Sequence, residues 1–167
     1  MSENNALNIL KNAILLEERG RAFYLKVAEQ APDTEVREFF EMMAEEESGH
    51  IKMLAEQFRF YRENKRFKPA DYEERGAEDV ASAVLSAALM EKIAAAGFES
   101  AAISAAISME ERAVKLYAGQ AEASQDPEEK KLYHWLAQWE RGHLSLLMDM
   151  DRQLTEKIWN DNQFWPF

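Results

Sequence analysis

Two copies of a Glu-x-x-His motif combine residue types that bind metal ions. Glu47 and His50 form the first copy, and Glu140 and His143 form the second. Residues three apart lie on one face of a helix, so the carboxylate and the imidazole of each copy can reach the same point. A single pair of this kind is common on a Glu-rich helix that faces solvent. Two pairs in a repeated register favour a metal site.

The two motifs belong to an internal repeat with an offset of 93 residues. Without a gap, 14 of the 41 positions in 14–54 are identical to their partners in 107–147. A fixed period of this kind indicates a repeated structural unit. The retained residues are mostly Glu, Arg, Tyr and His, whereas a duplication kept only for packing would preferentially keep apolar positions. The repeat therefore indicates that metal ligands have been retained.

Composition restricts the classes of fold and partner. The 167 residues include only six glycines and four prolines, which favours an all-α protein. The absence of cysteine excludes disulfides, thiolate nucleophiles and iron–sulfur ligation. A formal net charge of −11 disfavours nucleic acid and anionic membranes as partners. No signal peptide or membrane-spanning run is recognisable, so we expect a soluble, cytoplasmic protein.

Hydrophobic periodicity predicts four long helices in two antiparallel hairpins, joined as a four-helix bundle with one long crossover. The elements expected are a helix pair over 7–64, a crossover over 65–98, a helix pair over 99–160 and an aromatic tail over 159–167. The crossover contains an Ala-rich segment, 80–96, that predicts a short helix. All of 1–167 is expected to form one domain, because neither hairpin could bury its own core. We expect the tail to pack on the bundle or on a partner subunit.

Two further glutamates are placed to complete a site. Glu17 precedes Tyr24 by seven residues, and Glu110 precedes Tyr117 by seven. Seven residues make about two helical turns, so both carboxylates share a face with the apolar stripe of their helix. Buried together, four carboxylates and two imidazoles would repel one another unless cations compensated them. We therefore predict two metal ions held by Glu17, Glu47, His50, Glu110, Glu140 and His143, the ligand set of di-iron and di-manganese carboxylate bundles.

Other candidate ligands fall on the wrong face. Glu18 and Glu111 lie about 100° around the helix from the glutamates that precede them. His134 is close to half a turn out of phase with His143, so we expect it on the surface. Tyr24 and Tyr117 are candidate catalytic residues that donate to the carboxylates or hold a bound oxygen species. The alternative for both tyrosines is a plain packing role on an amphipathic helix.

The order of these motifs resembles a known family. The first copy reads Glu-Glu-Arg from position 17, Phe-Tyr at 23–24 and then Glu-x-x-His, and the second copy has Leu-Tyr at 116–117. This pattern looks like the rubrerythrin branch of the ferritin-like superfamily, over almost the whole chain from Leu7 to about Met150. The resemblance implies a di-iron site on the six ligands named above, with Glu47 and Glu140 best placed to bridge two metals.

The chain departs from that family at two points. Rubrerythrins carry an extra glutamate one turn after the third-helix ligand, where this chain has Ala113, and the repeat mate of that position is Gly20. They also usually carry a cysteine-rich rubredoxin domain that delivers electrons, whereas this chain has no cysteine. The resemblance therefore implies an external electron donor on a separate protein.

These observations lead to three functional hypotheses. The first is a non-haem oxidoreductase, active in oxidative stress as a homodimer, whose two iron ions react with peroxide or O2; manganese and zinc also suit the ligands. The second is ferritin-type iron oxidation and storage, which the second Glu-x-x-His disfavours. The third is a non-catalytic, metal-stabilised interaction or regulatory protein.

Overall fold

The computed structural model describes residues 3–72, 87–93 and 97–161, and within them it contains five helices and no strand. The helices are α1 (Glu3–Gln30), α2 (Thr34–Asn64), α3 (Ala87–Lys92), α4 (Phe98–Ala123) and α5 (Pro127–Asp161). Helix α1 packs along α2 and helix α4 packs along α5, which makes two hairpins, and α1 also contacts α4. The predicted all-α, ferritin-like four-helix bundle is confirmed.

Each hairpin reverses direction at an aspartate that caps the helix after it. Asp33 precedes α2, and its Oδ1 accepts hydrogen bonds from the backbone N–H groups two and three residues later, at 2.8 and 3.3 Å. Asp126 precedes α5 and accepts the two equivalent bonds at the same distances. These bonds satisfy amide groups that have no partner within the helix, so the two repeat mates fix equivalent helix starts.

A buried polar layer divides the apolar core into two clusters. One cluster contains Tyr24, Phe40, Ile103 and Leu146 among its members. The other contains Leu10, Leu54, Tyr117 and Leu136. On each of the four long helices, the Glu and His positions of the predicted site lie between the positions that contribute to the two clusters. The apolar clusters therefore hold the four helices together on both sides of the polar layer.

The connection between the hairpins is described only in part. Within the predicted helix over 80–96, the structure describes α3, which contacts α2 and α5. Residues 73–86 and 94–96 lie outside the described residues. Most of the predicted aromatic tail also lies outside them, and Trp159 at its start belongs to α5. Over the described ranges, no helix is both long enough and apolar enough to cross a membrane.

Candidate metal centre

All six predicted ligands meet in the polar layer at the middle of the bundle. None of these residues is more than 3% exposed. Helix α1 supplies one glutamate and α4 supplies another, while α2 and α5 each supply a Glu-x-x-His pair. The residues in this layer are Glu17, Glu47, His50, Glu110, Glu140 and His143. Since charged groups are rarely buried without compensation, this layer is the strongest candidate for a functional site in the described chain.

The six side chains form two overlapping groups of four. In one group, ligand atoms of Glu17 and His50 lie within 4.8 Å of those of Glu47 and Glu140. In the other group, Glu110 and His143 lie equally close to Glu47 and Glu140. We call these groups the His50 subsite and the His143 subsite. Because Glu47 and Glu140 belong to both, their carboxylates are in position to bridge two cations.

Both histidines turn the Nδ1 atom toward the carboxylates. His50 Nδ1 lies 3.0 Å from Glu140 Oε1 and 3.1 Å from Glu17 Oε2. His143 Nδ1 lies 3.4 Å from Glu140 Oε2 and 3.8 Å from Glu110 Oε1. The spacing of three residues in each motif therefore brings an imidazole nitrogen and a carboxylate to a common point, as the helical geometry requires.

Tyr24 and Tyr117 bind the carboxylates crosswise between the hairpins. The hydroxyl of Tyr24 on α1 donates to Glu110 on α4, and the hydroxyl of Tyr117 on α4 donates to Glu17 on α1. Burial is the main cause that raises the pKa of both tyrosines, and the charges of Glu110 and Glu17 respectively add to it. Both hydroxyls therefore remain protonated donors, which orient the two glutamates that belong to only one subsite each.

The layer holds protons when no metal is bound. Burial, followed by the charge of Glu140, raises the pKa of Glu47 and of Glu110 well above the usual range. For Glu17, burial raises the pKa, but hydrogen bonds with Glu47 and His50 outweigh it and lower the value to about 2. Metal binding must therefore displace protons from this layer.

The two histidines differ in protonation. Burial lowers the pKa of His50, but the charge of Glu140 and hydrogen bonds with the surrounding carboxylates outweigh it and raise the pKa well above 6.5. Burial lowers the pKa of His143, and there the charge of Glu110 does not outweigh it. His50 must therefore release a proton before it can bind a cation, whereas His143 is already neutral.

Several buried atoms that could bind a metal form no hydrogen bond of good geometry with the described residues. Both oxygens of Glu140 and both ring nitrogens of His143 are buried, and none forms a hydrogen bond of good geometry with the described residues. Buried acceptors without partners are costly, and carboxylate oxygens with imidazole nitrogens suit iron, manganese and zinc. Two divalent cations also bring four positive charges against the four carboxylates. The residues present thus fit a two-metal group.

The residues that the sequence set aside lie away from this layer. His134 is exposed, and so is Glu111. Glu18 is partly exposed and forms an ion pair with Arg21, with 2.9 Å between Oε2 and Nη2. None of the three belongs to either group of four. The helical phase predicted for these three residues thus agrees with their positions outside the layer.

Two tryptophans beside the site were not among the sequence candidates. Trp135 and Trp139 each meet the ring of His50 edge-on, with centroids 5.7 Å apart. Their repeat mates are Met42 and Glu46, so the aromatic pair is present in the second copy only. Because most positions differ between the two copies, this difference did not mark the pair in the sequence.

An open cavity of about 300 Å³ leads to the carboxylates from the face between α1 and α4. Glu17, Glu47, Glu110 and Glu140 form its inner end. Ala113, at the position of the family's extra glutamate, also lines the cavity. A small molecule can thus reach the polar layer without passing through either apolar cluster.

Comparison with known proteins gives a consistent result. The rubrerythrin family model matches residues 8–151, a range that contains all six predicted ligands. A solved structure of a hypothetical protein from Pyrococcus furiosus is similar in fold, with a TM-score of 0.62, 24% sequence identity and 90% of each chain covered. No curated protein matched the chain. On the extent of the family match, the chain belongs to the rubrerythrin family.

Proposed function

We propose that the protein is a non-haem oxidoreductase that reduces peroxide or O2 at a centre of two iron ions. One observation carries this proposal: six buried ligands form two groups of four that share Glu47 and Glu140. The sharing brings two cations together, and two-metal sites generally have their ions about 3.5–4 Å apart. The proposal also gives Tyr24 and Tyr117 a role as positioning residues.

The protein side chains would bind, orient and shield the reacting groups. When bound, two ferrous ions supply one electron each to the oxidant. The cavity between α1 and α4 admits the oxidant to the side of the layer where Glu47 and Glu140 are accessible. As the ligands common to both subsites, Glu47 and Glu140 would hold both ions and balance a change in metal charge. The hydroxyls of Tyr24 and Tyr117 hold Glu110 and Glu17 in place during that change.

The reaction requires a supply of electrons from outside this chain. Reduction of one peroxide to two waters consumes two electrons and two protons. The chain has no cysteine to hold an iron–sulfur or rubredoxin-type centre. We therefore propose a separate protein as the electron donor. We also propose a homodimer as the functional assembly.

The proposal can be tested by loading the metal-free protein with ferrous iron under anaerobic conditions. Two irons should bind per chain, and one equivalent of peroxide should oxidise both, with the appearance of ferric absorbance. Glu140→Ala is the matched variant, because it removes a shared ligand and should abolish this stoichiometry. A protein that binds two irons but stays ferrous contradicts the redox proposal and supports a structural metal role. Uptake of many irons per chain into a large assembly supports storage instead.

A further inference from the structure

The cavity between α1 and α4 is symmetric with respect to the internal repeat. Ten residues line it, and each is the 93-residue mate of another: Leu16 with Met109, Glu17 with Glu110, Arg19 with Arg112, Gly20 with Ala113, and Glu47 with Glu140. The cavity therefore lies across the axis that relates the two hairpins. A molecule bound in it faces both metal subsites equally.

The cavity is larger than an oxidant requires. Its volume of about 300 Å³ reaches the lower end of the range for small-molecule sites, whereas one water occupies about 30 Å³. Leu16 and Met109 provide apolar walls, and Gly20 and Ala113 keep the inner end open. A Cβ atom on Gly20 would lie 3.5 Å from Glu47 Cδ, so larger side chains there would cover that carboxylate. The cavity is thus suited to a small organic molecule.

Two arginines stand at the rim of the cavity without acidic partners. Arg19 and Arg112 are exposed, and within the described chain neither forms an ion pair. The Nε of Arg112 donates to the carbonyl of Ser108 at 3.0 Å, which leaves its other guanidinium N–H groups available. By contrast, Arg21, two residues further along α1 and outside the cavity lining, pairs with Glu18. Both guanidinium groups are therefore free to bind an anion at the mouth of the cavity.

Metal loading changes the charge that an anion meets at the inner end of the cavity. Without metal, the carboxyl groups at the inner end offer an anion no positive charge, and those that are ionised repel it. Two divalent cations neutralise the four carboxylates, while the two histidines are neutral as ligands. The arginine pair then becomes the dominant charge around the cavity, and guanidinium groups bind carboxylates in a favourable bidentate geometry.

From this geometry we infer that the cavity is a binding site for a small organic carboxylate, held by Arg19 and Arg112 with its apolar body against Leu16 and Met109. The inference rests on the proposed two-metal centre, because only the loaded centre removes the negative charge below the ligand. It assigns the protein an organic ligand in addition to peroxide or O2.

Binding of benzoate to the protein loaded with Co(II) tests this inference. Cobalt content gives the number of metals per chain, and the visible Co(II) spectrum together with titration calorimetry reports ligand binding. We expect saturable binding of benzoate to the two-metal protein, and no binding to the metal-free protein. Benzamide, the uncharged analogue, should bind at least about tenfold more weakly because it lacks the charge that the arginines recognise.

Matched variants identify the residues responsible. Arg19→Gln combined with Arg112→Gln should weaken benzoate binding about tenfold or more, while Arg21→Gln should leave it unchanged. All variants should retain the helical circular dichroism signal and two Co(II) ions. Unchanged benzoate affinity in the double variant, or equal binding of benzamide, overturns the inference. A protein with two Co(II) ions that binds no benzoate overturns it too but leaves the proposed function intact. Fewer than two Co(II) ions per chain overturns both.

Discussion

The His50 and His143 subsites have the same ligand types but different surroundings. Each contains one histidine, one glutamate of its own and the two shared carboxylates. The ring of His50 contacts the rings of both Trp135 and Trp139, with centroids 5.7 Å away. At the position equivalent to Trp139, the first copy has the half-buried Glu46, whose negative charge acts on His143.

This difference shows which constraints the duplication retained. The ligands and the tyrosines that orient them are kept in both copies, because both cations need the same donor atoms. The neighbours that set polarity around each histidine have diverged, and neighbouring groups tune the affinity and potential of a bound metal. Two ions with the same ligand types are therefore expected to differ in affinity.

Loss of a shared carboxylate should have the largest effect. Glu47→Ala and Glu140→Ala each remove a ligand from both subsites, so each should abolish stoichiometric binding of two metals. Metal analysis after equilibrium dialysis measures this. Glu18→Ala and His134→Ala are the controls, because both residues lie outside the layer. If His134→Ala costs a metal, or Glu140→Ala retains two, the assignment of shared ligands is wrong.

Removal of metal should lower the melting temperature by about 10 °C or more, since each ion stabilises only the folded state. The loss should grow as pH rises. The pKa values of Glu47, Glu110 and His50 are raised in the fold, so their contribution to stability is present at low pH and disappears as pH rises through those values. The lowered pKa of His143 has the opposite effect on stability near neutral pH, but it is one group against three.

Thermal melts of metal-free and loaded protein between about pH 5 and about pH 8 check this sign. The melting temperature of the metal-free protein should fall across this window. That of the loaded protein should hold or rise, because protons compete with metal less effectively at higher pH. Below pH 4.5 the metal-free protein should also lose stability, because Glu17 takes up a proton in the unfolded chain there, whereas its pKa in the fold is about 2. Parallel curves for the two forms contradict proton displacement by metal.

The crosswise tyrosines should have equal, intermediate effects. Tyr24→Phe removes the donor to Glu110, and Tyr117→Phe removes the donor to Glu17. Each should lower the free energy of unfolding of the loaded protein by about 1.5–3 kcal/mol, the range for a hydrogen bond to a charged group. Denaturant melts measure the loss. Tyr61→Phe, far from the layer, provides a comparison, and a large difference between the two site variants argues against a symmetric role.

The difference between the subsites should produce the smallest effect. Glu46→Gln should weaken metal binding at the His143 subsite by about tenfold and leave the His50 subsite unchanged. Glu45→Gln, on the exposed side of the same turn, is the control. Metal binding should quench tryptophan fluorescence through the subsite that contacts Trp135 and Trp139, and Trp139→Phe should reduce that quenching. Equal affinity losses at both subsites after Glu46→Gln would show that the subsites are not distinguished by this residue.

The sequence predicted the fold and the ligand candidates because both depend on local spacing. Asp33 and Asp126 marked helix starts, and the 93-residue register matched Glu17 with Glu110. The crosswise bonds of Tyr24 and Tyr117 could not be predicted, because they depend on how one hairpin is rotated against the other.

The surroundings of the layer were also beyond the sequence alone. In the sequence, Trp135 and Trp139 occupy ordinary amphipathic positions. Only the packing of α5 shows that they contact His50. The cavity arises only where α1 and α4 meet, so its symmetric lining by Arg19 and Arg112 needed the assembled bundle.

Anomalous scattering at the iron edge, from crystals of the protein loaded with ferrous iron under anaerobic conditions, tests the two-metal centre most directly. We predict two peaks about 3.5–4 Å apart in the middle of the bundle, one beside His50 and one beside His143, with Glu47 and Glu140 between them. A single peak, or a peak at a surface residue such as His134 with none in the polar layer, would contradict the account.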